Sequence, residues 1–490
     1  MPHYTIALTA LLLISCGGGG GGGSSSPSPS ASAPTPAPAP TPAPTVSVSL
    51  SASQVEVGEE VTITYSSSNS NSCEAMGSFP SIDSLSGTQT FSSWDIGTYN
   101  FELTCSGAGG SATASQMLTI IETFPFGIKS RGADFQLNYN SQYINPIVGI
   151  NGSGRMIAYC IDRSASLKIF EWDRDKWLQK GSNLNQPCTD IDMSDDGLTI
   201  AVSDAPGRGL VRIYEWDGVD WSQKGSDLIG EGNNDDFGHE IALSKNGNII
   251  VIGAIDGCNN GCRSGQVYVY EWNGSSWNQK GITINAERDD DRFGTSVDIN
   301  DDGSVIIAGA TGNDNSGGTN AGHSRVFEWS NGSWIQKGSD IDGGRGEGQM
   351  GWQTRISGDG NSIAVSSSQG TNTNGIIEIY SWDGSSWNSS SFISGDPVEG
   401  ERRGERLGWS LAIDKELKII AAGAIWRAKN AYRGGAVEFY KNGNNVQAGA
   451  TYGANSETQL GFDVAINRTG DIAIMSGNDL VRVVTLNFDN

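Results

Sequence analysis

Residues 237–254 read FGHEIALSKNGNIIVIGA, the clearest copy of a pattern that recurs along the chain. The segment from Phe237 to Ser244 leads through a Lys-Asn-Gly turn to the part from Ile249 to Ala254, which is apolar throughout. A short apolar run bounded by a turn is typical of a strand buried on both faces. Asn-Gly closes tight hairpins because both residues tolerate positive φ. The stretch therefore predicts an antiparallel β-hairpin.

This hairpin recurs along the C-terminal two-thirds of the chain. Further copies begin at Phe293, Met350, Leu407 and Leu460, each followed by Gly. The turn position recurs seven times at intervals of 43 to 57 residues, at Gly154, Gly197, Gly247, Gly303, Gly360, Leu417 and Gly470.

A second hairpin, marked by two tryptophans five positions apart, follows in five copies. The tryptophan positions are 172/177, 216/221, 272/277, 329/334 and 382/387, and the rings are expected to flank the turn and cover it from one side. Two hairpins give the four strands of one propeller blade. Seven such units predict an all-β protein with a seven-bladed β-propeller over residues 122–490.

The last unit ends after its third strand, at residues 480–486. Asp134-Phe135-Gln136-Leu137 is similar to a fourth strand and lies before the first unit. We expect this segment to complete the last blade, which would remove two open sheet edges.

The repeat resembles the FG-GAP-like repeat of integrin-α-type propellers. The matching residues are Phe237-Gly238 with Gly253-Ala254, and Phe293-Gly294 with Gly309-Ala310. The resemblance extends over about 350 residues and implies the fold rather than the function. Integrin-type blades bind calcium in Asp-x-Asp-x-Asp-Gly loops, but the corresponding turns here, such as residues 194–197, are shorter. We interpret them as hairpin turns.

The N-terminus is predicted to be an export signal and tether. Residues 6–15 form an apolar run too short to span a bilayer. The run ends at Cys16 and resembles a bacterial lipobox, which implies a lipoprotein signal peptide in residues 1–16 and lipidation of Cys16. Gly17 after this cysteine resembles the signal for the outer membrane of a Gram-negative cell. Residues 17–45, rich in Gly, Ser and Pro, predict a disordered linker.

Residues 46–121 predict a small β-sandwich, because apolar residues alternate with polar ones between Ser and Gly turns. This segment resembles bacterial immunoglobulin-like modules that serve as stalks. A spacer role is preferred to ligand binding. Cys73 and Cys105 are the only cysteines in it and are expected to form a disulfide. We also expect Cys258 to pair with Cys262, and consider a pair between Cys160 and Cys188.

The loops expected between blades, and between second and third strands, share one face of a propeller. A binding site is predicted on this loop-rich face, where the candidate residues are Asp235, Asp236, Asp340, Asp342, Glu399, Glu401, Arg402 and Arg403. Glu287, Asp289, Asp290 and Asp291 are candidate cation ligands, with an acidic surface loop as the alternative interpretation. Calcium is the one cofactor considered, and no metal ligand is firmly assigned.

The composition excludes one class of partner. Asp and Glu number 55 against 31 Lys and Arg, a net charge of -24, which argues against nucleic-acid binding.

No nucleophile elbow or metal-ligand spacing is present, so an enzyme is not predicted. We expect a monomeric, membrane-anchored surface protein that binds a protein or a glycan. The alternatives are a glycan-acting hydrolase or lyase with channel-facing carboxylates, and a purely structural stand-off protein.

Overall fold

The computed structural model describes residues 41–56, 59–93, 97–121, 127–137, 146–161, 166–205, 207–258, 263–367, 374–395, 404–427, 433–441, 447–453, 455, 458–478 and 480–488. It divides into two compact units, one within residues 1–122 and one within residues 123–490. All the helices and strands assigned in these ranges are β-strands. Within the same ranges, no helix is long and apolar enough to cross a membrane.

The first unit contains two sheets around one hydrophobic core. Its strands are β1 (Thr45–Leu50), β2 (Gln54–Glu56), β3 (Val61–Ser68), β4 (Ser72–Gly77), β5 (Ser86–Phe91), β6 (Gly97–Gly107) and β7 (Gly110–Ile121). The sheet orders are β1-β3-β5 and β2-β7-β6-β4. Val61, Ile63 and Tyr65 are buried in the core while the residues between them are exposed, as the alternation predicts. Cys73 and Cys105 lie opposite each other on β4 and β6 and form the predicted disulfide.

The second unit consists of seven sheets, each built on four antiparallel strands, and four of the sheets have a further short strand. In the first six sheets the four strands follow chain order, and in the seventh a strand from before the first sheet takes the fourth place. Two short strands, β8 (Gly127–Ser130) and β9 (Phe135–Gln136), precede them. The first three sheets are formed by β10 (Pro146–Ile150), β11 (Met156–Ile161), β12 (Lys168–Asp173) and β13 (Lys176–Gln179); β14 (Asp190–Met193), β15 (Thr199–Asp204), β16 (Leu210–Trp216), β17 (Trp221–Gln223) and β18 (Leu228–Ile229); and β19 (Phe237–Leu243), β20 (Ile249–Ala254), β21 (Gln266–Trp272), β22 (Trp277–Gln279) and β23 (Ile284–Asn285).

The remaining sheets have the same layout. They are formed by β24 (Phe293–Ile299), β25 (Val305–Ala310), β26 (His323–Ser330), β27 (Ser333–Gln336) and β28 (Ile341–Asp342); β29 (Thr354–Ile356), β30 (Ser362–Ser367), β31 (Ile376–Trp382) and β32 (Trp387–Ser394); β33 (Leu407–Ile413), β34 (Ile419–Ala424), β35 (Ala436–Lys441) and β36 (Gln447–Tyr452); and β37 (Val464–Ile466), β38 (Ile472–Gly477) and β39 (Leu480–Asn487) with β8.

Seven backbone hydrogen bonds join the first turns of the seven sheets in a closed cycle. In each turn one N–H donates to the carbonyl of the equivalent residue in the next sheet, at N···O distances of 2.8–3.3 Å. The residues are, in order, Gly152, Asp195, Lys245, Asp301, Gly358, Lys415 and Arg468, and Arg468 donates back to Gly152. The first strands of neighbouring sheets are also in contact, including β37 with β10. The arrangement is consistent with a β-propeller.

The segment that completes the seventh sheet differs from the prediction. The fourth strand is β8, which pairs with residues 484–487 of β39. Asp134 to Leu137 was expected in this place, but only β9 within it pairs with β39, through Leu480 and Val481. In the second, third and fourth sheets a short strand likewise follows the fourth strand and pairs with the third. The segment around Phe135 is therefore the counterpart of this short strand.

The tryptophan pairs connect neighbouring sheets. Their ring centroids are 4.9–5.5 Å apart, so each pair meets across its turn as expected. The second indole N–H of each pair also donates, over 2.7–3.0 Å, to a carbonyl of the preceding sheet, that of Arg131, Lys180, Lys224, Lys280 or Lys337. The cation of the same residue lies 4.7–5.6 Å from the first ring. The sequence alone did not predict this second role.

Close packing between sheets explains the recurring Phe-Gly and Gly-Ala pairs. Gly294 has φ 93°, and a Cβ on Gly253 would lie 2.1 Å from the Gly294 carbonyl oxygen. A side chain at either position would therefore separate the third and fourth sheets. Phe293 is fully buried beside this contact, and the pairing of β24 with β25 shifts register after it.

Candidate functional site

The first strands of the sheets surround a cavity of about 160 Å³. Its walls carry charged side chains from positions that point inward on these strands. The acidic ones include Asp190, Asp192, Glu240, Asp298 and Asp463, and Arg355 also lines the cavity. Such a concentration of carboxylates is the feature that a channel-centred hydrolase or lyase would need.

Four of these carboxylates bind backbone amides of two neighbouring sheets. One oxygen accepts the N–H of the following residue, and the other accepts an N–H on the first strand of the next sheet. The bonds to the next sheet run from the N–H of Ile241 to Asp190, of Leu243 to Asp192, of Ile356 to Asp298 and of Val148 to Asp463, at 2.7–2.8 Å. The bonds to the following residues are 2.8–2.9 Å long. We refer to these four residues as the inter-sheet aspartates.

The fifth carboxylate, Glu240, forms an ion pair across the cavity. Arg355 Nη1 donates to Glu240 Oε1 over 2.7 Å, and Gln353 Nε2 donates to Glu240 Oε2 over 3.2 Å. The side chains of Glu240 and Arg355 are 13% and 21% exposed, so the pair is largely shielded from water. It joins the third sheet to the fifth.

Burial favours the protonated forms of Asp190, Asp192, Glu240 and Asp463. Burial raises the pKa of Glu240 to about 7, although Arg355 opposes the shift. Burial also raises the pKa of Asp192 to about 6. The pKa values of Asp190 and Asp463 are raised by burial as well, and at Asp190 the neighbouring Glu240 adds to the effect.

The turn end of the cavity is crossed by further ion pairs. Arg468 of the seventh sheet donates to both oxygens of Asp301 in the fourth sheet. It also lies 3.6 Å from Asp195, which in turn is 3.9 Å from Lys245. Each acidic side chain named here thus has a partner within the protein. The arrangement joins opposite sides of the cycle.

The loop residues predicted for binding have mainly local partners. The Asp235 side chain is buried and accepts the N–H of Gly232, while Asp236 Oδ1 accepts the N–H of Gly207 over 3.0 Å. Asp340 Oδ1 accepts a hydrogen bond from Gln336 over 2.7 Å. Asp342 is exposed on β28. Glu399, Glu401, Arg402 and Arg403 lie outside the described residues.

The four predicted cation ligands do not form one cluster. Asp291 is 1% exposed and accepts bonds from the Arg288 N–H at 2.8 Å and from Asn313 Nδ2 at 3.2 Å, so its carboxylate organises its own loop. Asp289 and Asp290 are exposed to solvent. Glu287 instead lies near two residues from other elements, His323 and Asp340. Glu287 therefore groups with His323 and Asp340, and cation binding by the four predicted residues stays a prediction.

The remaining cysteine predictions have mixed outcomes. Cys160 and Cys188 form a disulfide between the first and second sheets, with Cα atoms 6.5 Å apart. Cys258 is exposed. Its expected partner Cys262, and the predicted lipidation site Cys16, lie outside the described residues.

Sequence reasoning missed His323 and the inward-facing residues of the cavity. The alternation of Asp190, Ile191 and Asp192 was a signal, since it places two carboxylates on one face of a strand. For His323 no signal existed, because its partners are 36 and 17 residues away in the sequence.

Comparison with known protein families supports the resemblance of the repeat to the FG-GAP repeat. Residues 231–270 match the FG-GAP repeat family. The match covers the end of one inter-sheet loop, β19, β20 and most of β21 in the third sheet. No curated protein matches the chain. The repeat indicates a β-propeller-type protein-binding module.

Proposed function

We propose that this protein is a membrane-anchored surface protein whose C-terminal unit is a seven-bladed β-propeller that binds a protein or glycan. In this proposal the seven sheets are the blades, and the first unit is an immunoglobulin-like stalk. Lipidated Cys16 and the linker of residues 17–45 would hold both away from the outer membrane of a Gram-negative cell. The closed cycle of seven backbone hydrogen bonds is the single observation that carries the propeller part.

Binding is favoured over catalysis by how the cavity carboxylates are used. A glycosidase needs one carboxyl group as acid and a second one free to act as base or nucleophile. Here the inter-sheet aspartates accept backbone amides with both oxygens, and Glu240 is held by Arg355 and Gln353. A substitution that freed one of them would weaken the cycle itself.

The proposed contact surface is the loop face of the third, fourth and fifth sheets. Its exposed side chains come from three inter-sheet loops and from the loop between β25 and β26. They are Glu231, Glu287, Arg288, Asp289, Asp290, Asp314, Arg345 and Glu347. Six acidic residues against two arginines make the surface negative, which suits a basic protein surface or a glycan bridged by calcium.

A binding screen tests the proposal. The purified protein with Cys16→Ser would be applied to glycan and protein arrays, with and without calcium. We expect a ligand that is lost when residues 312–321 are replaced by a short turn, and retained when exposed Val219 at the opposite, turn-bearing face is changed to Ser. Equal binding by both variants would refute the assignment of the face.

A further inference from the structure

Three side chains with metal-ligating atoms meet at the loop face of the fourth sheet. Glu287 lies in the loop before β24, His323 begins β26, and Asp340 lies between β27 and β28. One ligating atom from each lies within 4.8 Å of the other two, and His323 Nδ1 is 3.7 Å from Asp340 Oδ2. Within the described residues this is the only group of three or more such side chains.

The same position in two other sheets is used differently. There, an arginine on the third strand binds the aspartate that corresponds to Asp340 through two nitrogens. These pairs are Arg212 with Asp227, at 2.9 and 2.8 Å, and Arg482 with Asp134, at 3.0 and 2.7 Å. Arg325 is their counterpart in the fourth sheet, but its guanidinium lies 4.2 Å from the Phe293 ring and donates to the Asn285 carbonyl over 2.8 Å. The Oδ2 atom of Asp340 therefore faces the imidazole rather than an arginine.

The histidine is unusual for its position. The corresponding residues in the second and seventh sheets are Leu210 and Leu480, whereas His323 is 1% exposed. Its Nε2 atom has no hydrogen-bond partner, and the 3.7 Å between Nδ1 and Asp340 is too long for a hydrogen bond. A buried ring nitrogen without a hydrogen bond is costly, and a metal ion bound to one ring nitrogen would offset part of the cost of burying this imidazole.

We propose that Glu287, His323 and Asp340 bind one divalent transition-metal ion, with zinc as the best match. An imidazole with two carboxylates suits zinc and its neighbours, whereas calcium prefers oxygen ligands alone. Ligand atoms around tetrahedral zinc are roughly 3.3 Å apart, so small side-chain movements would complete the site. A water molecule would take the fourth position.

Charge and access also fit a divalent ion. Glu287, Asp340 and the neighbouring Asp291 carry three negative charges, and Arg325 carries one positive charge. A divalent ion would neutralise the two negative charges that remain. The Glu287 side chain is 44% exposed and that of Asp340 is 29% exposed, so solvent reaches the group. The competing explanation is that the carboxylates only balance Arg325, whose Nη1 lies 4.0 Å from Glu287 Oε1.

Cobalt binding separates the two explanations. The whole purified protein would be treated with EDTA, dialysed and titrated with Co²⁺ while the visible absorption is recorded. We expect one equivalent of Co²⁺ to give a d–d band, which Zn²⁺ removes and a tenfold excess of Ca²⁺ does not. No band, or a band that Ca²⁺ removes, would overturn the proposal and favour the charge-balance explanation.

Variants assign the ligands. His323→Ala should abolish the band, whereas His239→Ala, the control at the other described histidine, should leave it unchanged. Glu287→Gln changes a half-exposed side chain and should fold normally, so it decides the matter if His323→Ala does not fold. We expect it to weaken Co²⁺ binding at least about 10-fold, because replacing even a residue that only hydrogen-bonds to a metal ligand typically lowers metal affinity by about that factor. Unchanged affinity in Glu287→Gln would overturn the proposal.

Discussion

Asp298→Asn tests whether the inter-sheet aspartates hold the cycle of sheets together. Asp298 is 8% exposed and accepts the N–H groups of Ile299 and Ile356, each over 2.8 Å. Asparagine has one acceptor oxygen instead of two, so one buried backbone N–H loses its acceptor. An unsatisfied buried group costs about 1–3 kcal/mol, and a hydrogen bond to a charged group contributes about 1.5–3 kcal/mol. We expect the free energy of unfolding to fall by about 2 kcal/mol.

Asp383→Asn is the matched control. Asp383 likewise accepts two backbone N–H groups, those of Ser385 and Ser386, at 2.8 Å each. Both of these bonds go to Oδ1, which asparagine keeps, and Asp383 lies in an exposed turn that joins no sheets, so the substitution removes no buried backbone acceptor. The change in stability should therefore be much smaller than that of Asp298→Asn.

Guanidinium unfolding followed by tryptophan fluorescence measures the difference. The chain contains 14 tryptophans, many of them in the pairs that separate when neighbouring sheets come apart. The shift in midpoint multiplied by the slope gives the change in free energy, provided that both variants keep the wild-type slope. If the two variants lose the same stability, the carboxylates in the cavity have no special role between sheets, and the argument against free catalytic carboxylates weakens with it.

Three further outcomes are expected. Gly281 has φ 83°, and a Cβ there would lie 2.8 Å from the Trp329 ring, whereas Gly274 has φ 97° and no atom within 4 Å of the added Cβ. Gly281→Ala should therefore destabilise the protein more than Gly274→Ala, and thermal denaturation compares the two variants. Burial raises the pKa of Glu240 from 4.5 to about 7, so the folded state binds this proton more tightly than the unfolded chain does. The free energy of unfolding should therefore decrease as pH rises from about 4.5 to about 7, by about 3 kcal/mol at most, and a pH series should find this decrease reduced in Glu240→Gln. A double-mutant cycle of Asp134→Ala with Arg482→Ala should give a coupling of about 1–3 kcal/mol, since this two-point pair attaches the N-terminal segment to β39; additive effects would contradict that.

The hairpin turns were predictable from single residues. All seven predicted turn positions have positive φ, between 55° and 76°, and even Leu417 adopts φ 55° where the other copies have glycine. Asn-Gly and Asp-Gly sequences specify such turns locally. The tryptophan pairs were predictable for the same reason, because both rings belong to one hairpin.

The closing strand was misplaced because its sequence had diverged. The segment from Ile128 to Gly132 occupies the place of the Trp-x-Gln-Lys-Gly segment elsewhere, with isoleucine for tryptophan and Arg131 for lysine. Only Arg131-Gly132 preserved the pattern, and the role of Arg131 becomes visible only through its contacts with Trp172 and Trp177 of the first sheet. A contact between distant sheets leaves no local periodicity to detect.

The candidate site was harder to predict for a related reason. Asp190 and Asp235 are both acidic residues in a chain rich in them, yet Asp190 lines the cavity while Asp235 caps a loop. The group around His323 depends on three elements that meet only after the sheet has formed. Residue type alone could indicate an acidic loop face, but not which carboxylates remain available to a ligand.

The two kinds of inter-sheet contact differ in how much sequence change they tolerate. All seven junctions have the backbone hydrogen bond of the inner cycle, which any residue except proline can form, and Gly152 and Gly358 occupy it beside charged residues. In the described residues only five junctions have a tryptophan pair. At the other two, Ser366 donates to the Gly408 carbonyl and Ser410 to that of Gly461, and such hydroxyl bonds also occur at two junctions that have a pair. The backbone cycle is therefore the common requirement of the fold. Because it does not depend on the loops at the opposite face, those loops can vary without loss of closure, and a ligand or metal site there can differ from one sheet to the next.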